Sequence, residues 1–235
     1  MSIIISYLTG GCSGQEFICA ARSNPDIAKW FQDILPPGAD ILDIPYIPYQ
    51  FIEPGQECYQ SAGSTHTFWA DVHTNDCLNC LHDRISFQEY FHMTSDFDTA
   101  GGRVNAYGFL FSLAKKRLPN LVPSSRFSDE YGFYLDTCGE SFDGPDVEQY
   151  LDNLIYDIYT QSGTKTSKKQ RAKRTLAEAF HIEGRTYPHW IQGPEWPMGQ
   201  HSPMEYLSRK RDGDRVVFTF RDVDTGEIRE VEQFY

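Results

Sequence analysis

The period of the apolar positions changes several times along the chain, and each change predicts an element. At the N-terminus "SIIISYL" (residues 2–8) is rich in β-branched residues and predicts a first strand, followed by a glycine turn, "TGGCSGQ". In "SNPDIAKWFQDILPPG" residues Ile27, Trp30, Phe31, Ile34 and Leu35 recur at helical spacing. Asn24 suits the N-cap of that helix, Pro25 its first position and Pro36–Pro37 its stop. "ILDIPYIPYQFIE" alternates but carries two prolines, which predicts an edge strand or extended segment. Residues 54–100 read as irregular, with "HTFWADVH" as the best strand.

Regular periods return after that. "VNAYGFLFSLAKKRLPN" predicts a helix with Tyr107, Leu110, Phe111, Ala114 and Leu118 on one face. Lys115, Lys116 and Arg117 complement its C-terminal dipole, and Pro119 ends it. Val147, Tyr150, Leu151, Leu154, Ile155, Ile158 and Tyr159 then mark the clearest amphipathic helix, with Pro145 and Asp146 in its first turn. A basic helix with a thinner apolar face (Ala172, Leu176, Ala179, Phe180) follows, and Thr164 to Ser167 form a hinge between the two. Beyond residue 184 the pattern is strand, turn, strand, turn, strand. Asp212–Gly213 and Thr225–Gly226 signal hairpins, Val216, Phe218 and Phe220 share one face, and the last strand lacks a clean apolar face, as an edge strand would.

The elements predict an α+β protein: a mixed helical and β N-terminal part with an antiparallel β C-terminal module. Three regions are expected: an acidic α+β part at 1–163 carrying a partner-binding surface, a basic connecting helix at 164–184, and a β-rich module at 185–235.

Composition narrows the classes. The 235 residues are 40% hydrophobic and 14% aromatic, which suits a packed core rather than a disordered chain. No apolar run approaches the roughly 18–20 residues of a membrane span, and the N-terminus lacks the basic region of a signal peptide. With six scattered cysteines read as reduced thiols, a cytoplasmic location is expected. The net charge of −12 is unevenly placed. Residues 1–100 hold 13 acids against three bases (Arg22, Lys29, Arg84), a net of −10. Residues 164–184 reverse the sign, with six bases and two acids. Acidity of this degree argues against a nucleic-acid binder, which needs a basic face, and fits a basic protein partner.

Four constellations offer chemistry. "GGCSG" (10–14) has the G-x-C-x-G outline of a nucleophile elbow with Cys12 as nucleophile, but it follows the first strand instead of several βα units, so a glycine turn is the plainer reading. Cys77 and Cys80 form a C-x2-C pair with His82 beside it; this is half of a structural zinc site, with no second pair to complete it. The run "KTSKKQRAKR" has no interleaved aromatics and reads as a solvated helix face. Asp71, Asp76, Asp83, Glu89, Asp96 and Asp98 crowd one region and read as a docking surface, with Trp69, Tyr90 and Phe91 as its exposed aromatic anchors. No catalytic residue and no cofactor is expected. The alternatives are a cysteine hydrolase on Cys12 and an adaptor stabilised by zinc at Cys77, Cys80 and His82.

The segment "TYPHWIQGPEWPMG" (186–199) holds two of the four tryptophans. With "SPMEYLSRK" and the closing hairpin it resembles the C-terminal part of YwqG-like bacterial proteins. The matching positions are Pro188, Trp190, Ile191 and Gln192; Trp196 and Pro197; Pro203, Met204, Tyr206 and Leu207; and Gln233 with Phe234. Met198–Gly199–Gln200–His201 stands where many members have a cysteine pair, so a metal role for that pair is not carried over. The resemblance covers about the last fifty residues. It implies residence in a bacterial toxin–immunity locus and the role of an immunity protein that blocks a cognate toxin domain. Pro188, Trp190, Gln192, Trp196 and Pro197 are then its structural motif: a short strand, on which Trp190 and Ile191 face opposite ways, and a core corner.

Overall fold

A computed structural model describes residues 2–35, 37, 86–142, 144, 146–182 and 187–235. The expected strands "ILDIPYIPYQFIE" and "HTFWADVH", the candidates Trp69, Asp71, Asp76 and Asp83, and the candidate metal ligands Cys77, Cys80 and His82 lie outside the described residues. Eight helices and a three-stranded antiparallel sheet make the described fold α+β, as the periodicity predicts. The chain divides into two compact units, Met1–Tyr131 and Gly132–Tyr235. The boundaries expected at 163/164 and 184/185 both lie inside the second of these.

The first unit is built from α1 (Ser2–Leu8), α2 (Gly14–Ser23), α3 (Pro25–Gln32), α4 (Phe87–Met93), α5 (Ala100–Arg117) and the start of α6 (Arg126–Phe142). Residues 2–8, predicted as a strand, are helical. Ile4, Tyr7 and Leu8 are buried, an i, i+3, i+4 set, while Ile5 is exposed. Burial of one helical face outweighs the β propensity of three isoleucines, which is worth tenths of a kcal/mol per residue. The helix stops at Gly10, whose φ of 76° is the left-handed conformation that glycine adopts freely, and Gly11 N–H donates to Ser6 O at 2.6 Å. Ser13 then caps α2 in a reciprocal box with Glu16. The Asn24 cap and Pro25 start of α3 are found as expected.

Aromatic rings fill this interior. Tyr7 stacks on Phe17 at 4.1 Å between centroids, Phe17 meets Phe91 edge to face at 5.8 Å, and Phe31 stacks on Phe87 at 5.5 Å. Helix α5 is buried on more than the face its periodicity marked, with Arg103, Val104, Ala106, Phe109 and Leu113 covered as well. Its Arg103 is only 3% exposed and pairs with Glu130 at 2.6 Å while donating to Phe97 O at 3.2 Å. Loss of either partner would strand a buried charge, at a cost of about 3–5 kcal/mol.

The second unit holds the end of α6, α7 (Glu148–Thr160), α8 (Lys165–Ala179) and the sheet β1 (Glu205–Asp212), β2 (Arg215–Arg221) and β3 (Ile228–Phe234). The sheet is a meander of order β1-β2-β3, with Gly213 and Gly226 at positive φ in its two turns. Val216, Phe218 and Phe220 of β2 are fully buried, and β3 is the edge strand its pattern predicted. Leu151, Ile155 and Ile158 of α7 are buried, as are Ala172 and Leu176 of α8. The turn expected to act as a hinge is a helix cap, in which Thr164 Oγ1 accepts from Ser167 N–H.

One buried group sets a pH dependence. Asp96 is 1% exposed and lies on the turn between α4 and α5. Tyr90 OH donates to its Oδ2 at 3.2 Å, and its Oδ1 has no partner. Burial raises its pKa to about 7, partly opposed by the hydrogen bonds of Tyr90 and Thr94 and assisted by the charge of Asp98. A carboxyl whose folded pKa is raised binds more protons in the folded state than in the unfolded one. Its contribution is therefore whole below about pH 4 and is lost as pH rises toward 7. Asp96→Asn is expected to be more stable than the parent at pH 8, by on the order of 4 kcal/mol, and near parity at pH 4. Urea denaturation of both proteins at pH 4, 6 and 8 checks this; a gap that does not widen with pH refutes it.

Candidate functional site

The segment at 187–198 is the most specific local structure in the second unit. It is not the short strand the sequence predicts. Residues 191–193 bend, and no strand ladder receives the amides of Ile191 and Gln192. A side chain takes its place. Gln233, fully buried on β3, accepts from Ile191 N–H at 2.8 Å and Gln192 N–H at 3.2 Å through Oε1. Its Nε2 donates to Gly193 O at 2.5 Å and to Glu195 Oε1 at 3.0 Å. Both amide ends find complementary partners, which fixes the orientation of the group.

The tryptophans pin the two ends. Trp196 is fully buried and its Nε1 donates to Met204 O at 2.7 Å. Trp190 Nε1 donates to Ser141 O at 3.1 Å, and its ring lies 4.9 Å from Phe218 and 6.0 Å from Phe220. Phe142 and Phe180 close on Trp196 at 6.0 and 4.7 Å. Pro188 and Pro197 are buried and Gln192 is exposed. The five motif residues thus share one segment, in which Trp196–Pro197 forms the expected core corner. Beyond it Met198 bridges Pro203, and the Asp222 carboxylate accepts from Gln200 N–H at 3.0 Å.

The outer side of this segment, with Ser141, lines an open groove of ≈ 520 Å³. Tyr187, His189 and Gln192 are exposed there and Trp190 is half-buried. The lining residues, Ser141 and 187–194, include no thiol and no carboxylate. Aromatic and proline surface flanked by hydrogen-bonding side chains on a rigid backbone suits non-covalent binding. The role of Gln233 is the feature that sequence reading missed. Its signal was a lone amide at an inward register position, opposite the buried Val216.

The other candidates fall out differently. Tyr90 and Phe91, read as exposed anchors, are 2% and 0% exposed and belong to the aromatic core. The spacing that buries them, with Phe87, is that of a short helix where an irregular loop was expected. Asp96 is buried too, so its carboxyl is not on the surface. Glu89 is exposed, but its carboxylate accepts from Ser86 N–H at 2.8 Å and from Ser86 Oγ at 2.6 Å, closing a capping box that holds its pKa below the usual range. Asp98 is half-buried on the turn that follows α4, near Asp96.

Cys12 follows a helix, not a strand, so the elbow geometry is absent. The thiol is 7% exposed, burial pushes its pKa up, and the Glu16 charge pushes the same way against Ser6 and Arg126. An activated nucleophile needs the opposite shift. Among the described residues no group of three or more His, Cys, Asp or Glu side chains is placed to hold a metal ion, and no helix is long and apolar enough to cross a membrane. The basic helix α8 is largely engaged within its own unit. Lys165 and Lys169 reach Asp136 at 3.2 and 2.8 Å, Lys168 donates to Tyr159 O at 2.5 Å, and Arg171 donates to Gln161 and Ser162.

Comparisons with protein-family models, with curated proteins and with solved structures found no match.

Truncation of the buried amide gives the test of this site. Gln233→Ala removes both acceptor lone pairs from Ile191 and Gln192 and the donors from Gly193 and Glu195. A loss of roughly 2–4 kcal/mol is expected, with a red shift of Trp190 emission as 187–194 loosens. Chemical denaturation followed by tryptophan fluorescence reads both, and a loss under about 0.5 kcal/mol would show that the clamp is idle.

Proposed function

We propose that this chain is a non-enzymatic immunity protein, acting in the cytoplasm, that binds and neutralises a cognate toxin domain whose surface is basic. The observation that carries this reading is the placement of charge: a net of −10 over residues 1–100 in a chain of −12. The described acids of that stretch are largely occupied. Glu16 and Glu89 cap helices, Asp33 pairs with Lys29 at 2.7 Å, and Asp96 is buried. The surplus resides at 38–85, where seven acids stand against the single base Arg84. An excess of charge of one sign speeds encounter with a partner of the other sign. The resemblance of the 188–234 motif to YwqG-like proteins of toxin–immunity loci supports the same reading. The buried, raised-pKa thiol of Cys12 weighs against the hydrolase alternative.

The test is co-expression in a bacterial host with the C-terminal domain encoded by the adjacent upstream reading frame. Growth arrest by that domain alone, relieved when this protein is present, is the expected result. Charge reversal of Asp71, Asp76 and Asp83 to lysine is expected to remove the protection while the protein still accumulates. Arrest that persists beside the folded wild-type protein, or an adjacent frame with no toxic domain, contradicts the proposal.

A further inference from the structure

The sheet carries cations of two kinds. Arg215 pairs with Glu232, Arg221 with Glu205 at 2.5 Å, and Arg229 with Asp146 at 3.6 Å. Arg209, Lys210 and Arg211, three consecutive residues of β1, have no carboxylate partner among the described residues. They are held in place by other means. The Arg209 guanidinium lies 5.7 Å from the Phe218 ring and donates to Tyr235 OH at 3.1 Å. The Arg211 guanidinium stacks 4.3 Å over the Tyr235 ring and donates to Gly213 O at 2.9 Å. Two guanidinium groups are thus braced around one exposed tyrosine, their charge unspent.

The same strand is an open edge. Among the described residues β1 pairs β2 on one side only, and every residue from Leu207 to Asp212 is exposed. Backbone N–H and C=O groups on the free side of an edge strand await a partner. Register fixes which way the charges point. Arg209 and Arg211 lie opposite the buried Phe218 and Val216, so they share the inner face, and Lys210 lies on the other face opposite Val217. The bulge between Tyr206 and Ser208 sets this phase. A strand laid along Ser208–Asp212 would bring side chains at every second position beside the two arginines.

We propose that the β1 edge is a docking strip for an extended acidic peptide segment, which joins the sheet as a fourth strand with carboxylates at alternate positions facing Arg209 and Arg211. Two observations converge on that occupant: a backbone edge with no neighbour among the described residues calls for an extended chain, and three cations with no carboxylate partner among those residues call for negative charge. Two β1 edges facing each other would oppose like charges, which disfavours pairing of one edge with itself. The overall charge of −12 disfavours a nucleic-acid strand. The proposal is independent of the toxin reading, whose partner is basic and whose surface lies in the first hundred residues.

The experiment uses the full chain and the labelled peptide acetyl-Glu-Val-Glu-Thr-Glu-Val-Glu, read by fluorescence anisotropy. Binding is expected, with a dissociation constant at least about tenfold weaker for a version with proline at the alternate positions, which cannot join a ladder. R209E/K210E/R211E is expected to weaken the first peptide at least about tenfold with the circular dichroism unchanged. Should that variant misfold, R209Q/K210Q/R211Q gives the same reading at smaller amplitude. Absence of binding, equal binding of the proline peptide, or tighter binding of oligothymidine would overturn the proposal. So would a concentration-dependent dimer in sedimentation velocity that the triple variant dissolves, since a second copy would then occupy the edge.

Discussion

Both units are filled by aromatic side chains, and that packing limits where a buried polar group can find partners. Rings pack densely and accept hydrogen bonds poorly, so an amide or charge enclosed among them must find its partners in a few fixed places. In the first unit Arg103 meets Glu130 and the Phe97 carbonyl. In the second, Gln233 serves two amides, one carbonyl and one carboxylate from a single position on β3. Asp96, buried with only one of its carboxyl oxygens hydrogen-bonded, has its pKa raised to about 7 by burial.

This constraint separates structural from functional residues. The aromatics of the 188–197 motif are spent on the core, on a Met204 carbonyl and on a Ser141 carbonyl, and they hold a groove rigid more than they present themselves to it. Charge is unevenly placed along the chain. The sequence of residues 1–100 carries a large negative surplus, while three cations on the β1 edge have no carboxylate partner among the described residues.

Much of the second unit was legible in the sequence because its signals are local. Asp212–Gly213 and Thr225–Gly226 mark turns by backbone chemistry, and Val216, Phe218 and Phe220 mark a face by period. The first unit was harder for a physical reason. Ile3, Ile4 and Ile5 favour a strand locally, and only the packing of Ile4, Tyr7 and Leu8 against other helices makes them helical. Tyr90 and Phe91 looked like loop aromatics because their helix is only seven residues long, too short for a period to stand out. The Gln233 clamp could not be read, since its meaning depends on residues some forty positions away.

The immunity-protein proposal rests on opposite charge bringing the protein to a basic partner. Stopped-flow association with the proposed toxin domain, measured from 50 to 500 mM NaCl, tests it most directly. The association rate is expected to fall by about tenfold or more across that range while dissociation changes little. An association rate that does not depend on salt would contradict the account.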